Sequence, residues 1–418
     1  MKINLSTISY SIFLLFIFSL FVGFLNQEAI SGAGAKKDFY FTWNYVLALE
    51  KNMLTDPTTW TVHTPLHYFI LFNLYKVLNS QEAVRFAIIV VSFFIPILFY
   101  FNLRIKFPKV RKSILLIFAT SIFLYPSFRY SALWANSHIT ALIFFLLSTY
   151  YFLVWEKSLS KTITIPVVLS TICLALAVYT RQYYAFIFFY YLFVFFSKLY
   201  IKNFLKLGFF IFILTLPGFY LIYEYPLLVK NAFFTLRYHN TLLINSSIIS
   251  FYLIPFFLIF CFSKDNVNII KKDLISFLFL SIIITFLPIL VGFNYFDFNN
   301  GAGGGFLLKL SYLLFNGPYF FFLTSLIGFF MILLICREDN KNIIIFLILL
   351  LCFSGYIIYQ KNFEPMFLII LFLLINTKLT SNFLKEGKNM ILYYFYIISY
   401  LASAILNDYF QLSSKILN

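Results

Sequence analysis

Asp38 is a lone carboxylate in a basic and aromatic stretch, Lys36-Lys37-Asp38-Phe39-Tyr40-Phe41-Thr42-Trp43-Asn44-Tyr45. The same region continues through Glu50 to His63-Thr64-Pro65-Leu66-His67. A positioned carboxylate or imidazole can take a proton from a hydroxyl that attacks an electrophile. Basic side chains on other segments can hold an anion, above all a phosphate. The candidates for that work are Arg129, Arg181, Arg237, His239 and Lys361. Arg181 stands out because it lies between two apolar segments, where a charge is costly unless it is paired or faces water. Trp134 and His138 flank the start of a further apolar segment and join the list as substrate-contact candidates. Cys173, Cys261, Cys336 and Cys352 lie in or beside apolar segments with no CxxC spacing, so neither a disulfide framework nor a metal site is expected.

The elements that must position these residues are membrane helices. The chain is 62% hydrophobic and only 11% charged. A soluble protein carries about 25% charged residues. The apolar residues come in long blocks without the period-two alternation of barrel strands. Helices are therefore predicted over Ile8–Leu25, Arg85–Phe101, Ser113–Tyr125, Ile139–Trp155, Ile163–Tyr179, Tyr183–Phe196, Leu207–Tyr223, Ile248–Phe262, Leu274–Gly292, Tyr319–Cys336, Ile343–Tyr359, Pro365–Ile375 and Met390–Leu406. The expected fold is an all-α polytopic membrane protein of about 11 to 14 spans, with residues 1–418 as a single transmembrane domain. Pro65–Leu78 is short and reads as a re-entrant or interface-lying helix. Tyrosines at segment ends, such as Tyr125, Tyr130, Tyr223 and Tyr238, read as an interfacial belt.

Charge gives the orientation. The formal charge is +16, and most of the 31 basic residues fall in short loops on one side of the spans. Those loops hold Arg104–Lys112, Lys157–Lys161, Lys198–Lys206, Lys264–Lys272, Arg337–Lys341 and Lys378–Lys388. The positive-inside rule makes that side, and the N-terminus, cytoplasmic. The basic balance is thereby assigned to topology, and nucleic acid is excluded as a partner by the apolar content. The long loops, 26–78, 224–247 and 294–318, fall on the other face, where sites are usually built. Ile30–Ala35 (ISGAGA) has signal-peptidase-like small residues, but the run before it is long for a signal peptide, so the first span is expected to be retained. Asn299–Gly305 (NNGAGGG) has neither the context nor the lysine of a phosphate-binding loop and reads as a mobile hinge.

An acidic residue just past the first span, followed by an aromatic helix and a His-x-Pro-Leu element, resembles the GT-C superfamily of membrane glycosyltransferases. Three later segments add to the likeness: Ala132–Leu142 around Trp134 and His138, Ala177–Tyr183 around Arg181-Gln182, and Tyr359–Pro365 around Lys361. The Arg-Gln segment is similar to that of the dolichyl-phosphate-glucose α-1,2-glucosyltransferases. The resemblance implies a GT-C-like fold with long non-cytoplasmic loops. It implies a polyprenyl-phosphate sugar as donor and a glycan, lipid or protein hydroxyl as acceptor. Asp38 is then the base, Arg181, Lys361, Arg237 and His239 bind the donor phosphate, and His63, His67, Trp134, His138 and Glu50 line the substrate loop. Many members carry two adjacent acidic residues where this chain has Asp38-Phe39, so no divalent metal and no other cofactor is expected. The chemistry agrees with one carboxylate: a lipid phosphate is already a good leaving group and needs positive charge rather than a general acid. A multi-pass position in a bacterial inner membrane is expected, or in the endoplasmic reticulum of a eukaryote. The alternatives are a lipid-linked polysaccharide polymerase or ligase, which would rely on Arg237-Tyr238-His239, and a transporter or flippase.

Overall fold

Unbroken apolar runs must satisfy their backbone groups internally, and the described apolar runs do so as helices. A computed structural model describes residues 5–30, 34–50, 63–224, 238–261, 264–295, 303–353 and 357–410. No β-strand occurs among the described residues. Among the described residues, eight helices are long and apolar enough to cross a membrane, or up to ten if two bent pairs each count as one span. The architecture is that of an all-α polytopic membrane protein. Fewer helices reach spanning length than the sequence predicts. The segments expected at Ile163–Tyr179 and Tyr183–Phe196 form helices of only 14 and 12 residues.

The chain divides into two compact units, Met1–Lys230 and Asn231–Asn418. No shift of composition in the sequence marks this division. In the first unit α1 (Leu5–Leu25) is followed by the amphipathic α2 (Gly34–Glu50). Ala35, Phe39, Trp43, Val46 and Leu49 recur at helical spacing and form its buried face. Trp43 packs edge-on against Tyr75 of α3 (Leu66–Leu78), ring centroids 5.1 Å apart. At 13 residues α3 is too short to cross, in keeping with an interface-lying helix.

α4 (Gln81–Ser92) and α5 (Phe94–Lys106) run on as one 26-residue span. α6 (Lys112–Thr120) and the 3-10 turn Ser121–Leu124 stop at Tyr125, because a residue before proline is driven out of the helical region. The chain then bends by 69° into α7 (Pro126–Leu133), whose eight residues are all buried. α8 (Ser137–Ser158) packs on α9 (Ile165–Val178), with Ser148 Oγ donating to the Ser170 carbonyl at 2.7 Å. Phe152 of α8 stacks on Tyr191 of α10 (Ile187–Lys198) at 4.2 Å. α11 (Ile201–Glu224) closes the unit.

In the second unit α12 (Tyr238–Cys261) lies against α15 (Tyr319–Glu338) through small and hydroxylic residues. Ser246 Oγ donates to the Ser325 carbonyl at 2.6 Å, and Ser325 Oγ donates to the Leu243 carbonyl at 2.9 Å. Gly328 lets the backbones meet: a Cβ there would stand 2.2 Å from the Ser246 carbonyl oxygen. α13 (Lys264–Gly292) precedes α14 (Phe306–Phe315). α16 (Lys341–Leu347) widens into a π turn, Ile348–Cys352. Carbonyls there lose their regular partners, and Asn245 Nδ2 donates to those of Leu349, Leu350 and Phe353 at 3.0–3.2 Å. α17 (Met366–Leu373) is an eight-residue helix buried on every side. With the turn before it, it forms a pair bent by 92° against α18 (Lys378–Lys385), and α19 (Lys388–Phe410) follows.

The glycine stretch expected as a hinge is docked where it is described. Gly303, Gly304 and Gly305 are buried with φ of +73°, +75° and +82°. Gly304 N–H donates to the Ile358 carbonyl at 2.8 Å. A Cβ at Gly303 would lie 2.5 Å from Tyr295 Oη and 2.7 Å from the Ile358 oxygen. Left-handed backbone and close approach, rather than mobility, account for the glycines. Residues 299–302 lie outside the described residues.

Candidate functional site

The turn from Leu133 to His138, between α7 and α8, gathers most of the expected residues of the first unit. Ala135 holds a left-handed backbone, φ +44°, which is strained for a residue with a Cβ. Asn136 caps α8, its side chain accepting from His138 N–H at 3.2 Å. The cap has a second duty. Arg181 Nη2 donates to Asn136 Oδ1 at 3.0 Å, and Arg181 Nε donates to Ser137 Oγ at 2.9 Å. Arg181 is only 4% exposed. Both oxygens are neutral, and no carboxylate among the described residues pairs with this guanidinium.

His67 reaches the same turn from α3 and is fully buried. Its Nε2 lies 2.9 Å from the Ala135 carbonyl and can only donate there, so in the neutral ring Nδ1 accepts from the Thr140 hydroxyl, also at 2.9 Å. Burial, helped by the Arg181 charge and opposed by the bond to Ala135, pushes its pKa down to about 4. An unfolded histidine titrates near 6.5. The unfolded chain therefore takes up this proton first as pH falls, and the stability from neutral His67 is present above 6.5 and lost toward 4. Acidification from pH 7 to 5 is expected to cost about 2 kcal/mol through this group. Thermal unfolding of the wild type and His67→Gln at both pH values checks this, since the variant lacks that part of the pH dependence.

Trp134 is buried, and its Nε1–H donates to the Glu28 carbonyl at 2.8 Å. The Arg85 guanidinium lies over its ring at 3.9 Å, and Lys36 Nζ lies 5.6 Å from the ring centre. Phe39 of α2 packs on it at 6.0 Å. Arg85 Nε also donates to the Leu133 carbonyl at 3.1 Å, and its Nη1 is bound to the Glu82 carboxylate. His138 is buried with Nδ1 3.2 Å from Tyr183 Oη.

Asp38 lies half-buried in the N-terminal part of α2, one residue before Phe39. α2 is thus docked on Trp134, two residues ahead of the oxygens that hold Arg181. Glu50 ends α2 on its exposed side. His63 is half-buried ahead of α3, where Thr64 Oγ1 donates to the Val178 carbonyl and Leu66 N–H to that of Tyr179. These bonds tie the His63–His67 segment to the end of α9, just before Arg181.

Arg129 is bound differently from the phosphate ligand that sequence suggests. Its Nε and Nη2 donate to the two Glu28 carboxylate oxygens at 2.9 and 2.7 Å, and Nη1 donates to Ser19 Oγ at 2.9 Å. The pair fixes α1 to α7, and it needs Gly23, whose Cβ would sit 2.6 Å from Glu28 Oε2. Glu28→Gln keeps an acceptor but removes the charge opposite a buried guanidinium. It is expected to cost about 2 kcal/mol, measured by thermal unfolding against the wild type.

The remaining candidates belong to the second unit. Lys361 is half-buried in the 3-10 turn Gln360–Asn362, its Nζ 4.8 Å from the Tyr359 ring centre. Beside it, Glu364 Oε1 accepts from Tyr252 and Tyr400 hydroxyls, both at 2.5 Å. Gln360 Nε2 donates to the same two hydroxyls at 3.0 Å. His239 is half-buried in the first turn of α12. Arg237 lies outside the described residues. Among the described residues, no cluster of three or more His, Cys, Asp or Glu side chains could hold a metal ion.

Sequence reading passed over Glu28, Arg85, Asn136 and Ser137 as site residues. Arg85 carried a signal, a charge inside an apolar run. Asn136-Ser137 carried a weaker one, a capping pair at the start of a span. Compared with protein-family models, curated proteins and solved structures, the chain matches none.

Proposed function

We propose that this chain is a GT-C-like membrane glycosyltransferase that moves a sugar from a polyprenyl-phosphate donor to a hydroxyl of a glycan, lipid or protein. The observation that carries the reading is Arg181, a permanently charged group, buried, held by neutral oxygens and without a carboxylate among the described residues. Burying such a charge uncompensated is expensive, and an anionic ligand supplies the compensation. In apolar surroundings the fitting anion is one that arrives on its own apolar tail. A lipid phosphate meets that requirement, and a guanidinium suits its geometry.

The reaction follows from two groups. The Asp38 carboxylate takes the proton of the acceptor hydroxyl as its oxygen attacks the anomeric carbon. The bond from that carbon to the phosphate oxygen breaks, and the lipid phosphate leaves with the electron pair. Arg181 stabilises the charge that builds on it. The docking of α2 on Trp134 supports a shared site, since Lys36 and Phe39, which flank Asp38, contact Trp134, and Arg181 is held by Asn136 and Ser137 of the same turn. α8 runs 22 residues from this turn to the end that carries Lys157. That is about 33 Å, a membrane thickness, and fits a site on the face opposite the basic loops, the non-cytoplasmic one by the positive-inside rule. Lys361, Arg237 and His239 carry no part of this argument.

The test is transfer itself. The full chain in phosphatidylcholine nanodiscs, given a radiolabelled polyprenyl-phosphate sugar and mixed glycan, lipid and peptide acceptors, is expected to form a labelled product. Passage of labelled sugar-lipid across a vesicle bilayer with no covalent product would overturn the reading in favour of a flippase.

A further inference from the structure

The turn at 133–138 is held more tightly than a connection between two helices requires. Its backbone is strained at Ala135, where φ is +44°. Such a conformation persists only when its surroundings over-determine it. Two groups from outside the turn do so. His67 Nε2–H holds the Ala135 carbonyl at 2.9 Å, and Arg85 Nε–H holds the Leu133 carbonyl at 3.1 Å while its guanidinium covers the Trp134 ring. His67 and Arg85 are 0% and 2% exposed, so neither bond competes with water. The side chains that follow the strained residue, Asn136 and Ser137, are the ones that hold Arg181.

We infer that His67 and Arg85 are positioning residues, which lock the turn so that Asn136 and Ser137 aim the Arg181 guanidinium at its anion. The inference rests on the phosphate-binding reading of Arg181. It differs from a purely structural role in one respect: the strain and the clamp offset each other. Without the His67 bond, Ala135 relaxes toward negative φ and turns Asn136 away. A glycine at 135 adopts the left-handed backbone freely and keeps the turn in place without the bond.

The experiment measures the affinity of the full chain in phosphatidylcholine nanodiscs for a sugar-free polyprenyl monophosphate, with thermal unfolding as a parallel readout. His67→Phe is expected to weaken binding roughly tenfold, the worth of one charge-assisted hydrogen bond. Adding Ala135→Gly to His67→Phe is expected to restore most of that loss. A merely structural histidine would not be rescued in this way. A folded His67→Phe protein that binds like the wild type overturns the inference, and so does a double variant as weak as the single one. If His67→Phe does not fold, Ala135→Val in the wild-type background replaces it. A branched residue cannot hold this φ cheaply, so the same loss is expected, and unchanged binding overturns the inference. Arg181→Ala separates the two levels. If it leaves affinity unchanged, the phosphate reading itself falls. If it abolishes binding while the turn variants do not, only the positioning role falls.

Discussion

On the proposed glycosyltransferase reading, an Asp38→Asn protein is expected to fold, insert and still bind the polyprenyl monophosphate, but to transfer sugar 10²–10⁴-fold more slowly, the usual worth of a positioned general base. Asparagine keeps the size and polarity of the aspartate and loses only the ability to take a proton. The helix that carries it is anchored by Phe39, Trp43 and Lys36, none of which the substitution touches. Steady-state kinetics on purified wild type and variant check this, with kcat falling and KM holding. Transfer within threefold of the wild type removes Asp38 from the mechanism, whatever becomes of Arg181.

The second large effect concerns stability. Gly328→Ala is a mild change in most helices, where alanine gains up to about 1 kcal/mol over glycine. Here the new Cβ would stand 2.2 Å from the Ser246 carbonyl oxygen. That oxygen is backbone, so no rotamer change relieves the clash, and α12 and α15 must separate. Separation strains the hydrogen bonds that Ser246 and Ser325 make across the pair. The expected net cost is about 3 kcal/mol, in the range of overpacked cores. Gly208 in α11 is the control, because nothing lies within 4 Å of the Cβ it would gain. Gly208→Ala is expected to leave stability unchanged or raise it by up to about 1 kcal/mol. Thermal unfolding of both variants in the same detergent compares one substitution with opposite outcomes.

Membrane character and helical class were legible because the length and purity of an apolar run do not depend on its neighbours. The amphipathic helix that carries Asp38 was legible in part, since its acidic residue interrupts a basic and aromatic stretch. The number of spans was harder to read. α17 is apolar on all sides because protein surrounds it, and hydropathy gives the same signal for lipid. The partners of Arg181 were out of reach for another reason. Asn136 and Ser137 lie more than forty positions before it, and they meet it only because the chain bends at Pro126 and turns left-handed at Ala135. Neither a bend angle nor a positive φ at an alanine is written in composition or periodicity. The glycines at 303–305 failed in the same way. Their abundance read as looseness, whereas they allow backbone to dock on backbone.

α17 also bears on biogenesis. Eight residues of helix reach about 12 Å, less than half of a hydrocarbon core. No insertion machinery can partition so short a segment into lipid on its own as it leaves the ribosome. Its rings find their places only among neighbours: Phe367 against Tyr252, and Phe372 against Phe256 and Phe383. Tyr393 of α19 closes over Phe256 and Phe383 in turn. α17 therefore settles against α12, which precedes it in the chain, and α18, which follows it. Among these rings Tyr393 is the last to be synthesised, so this cluster is completed only when α19 packs on it.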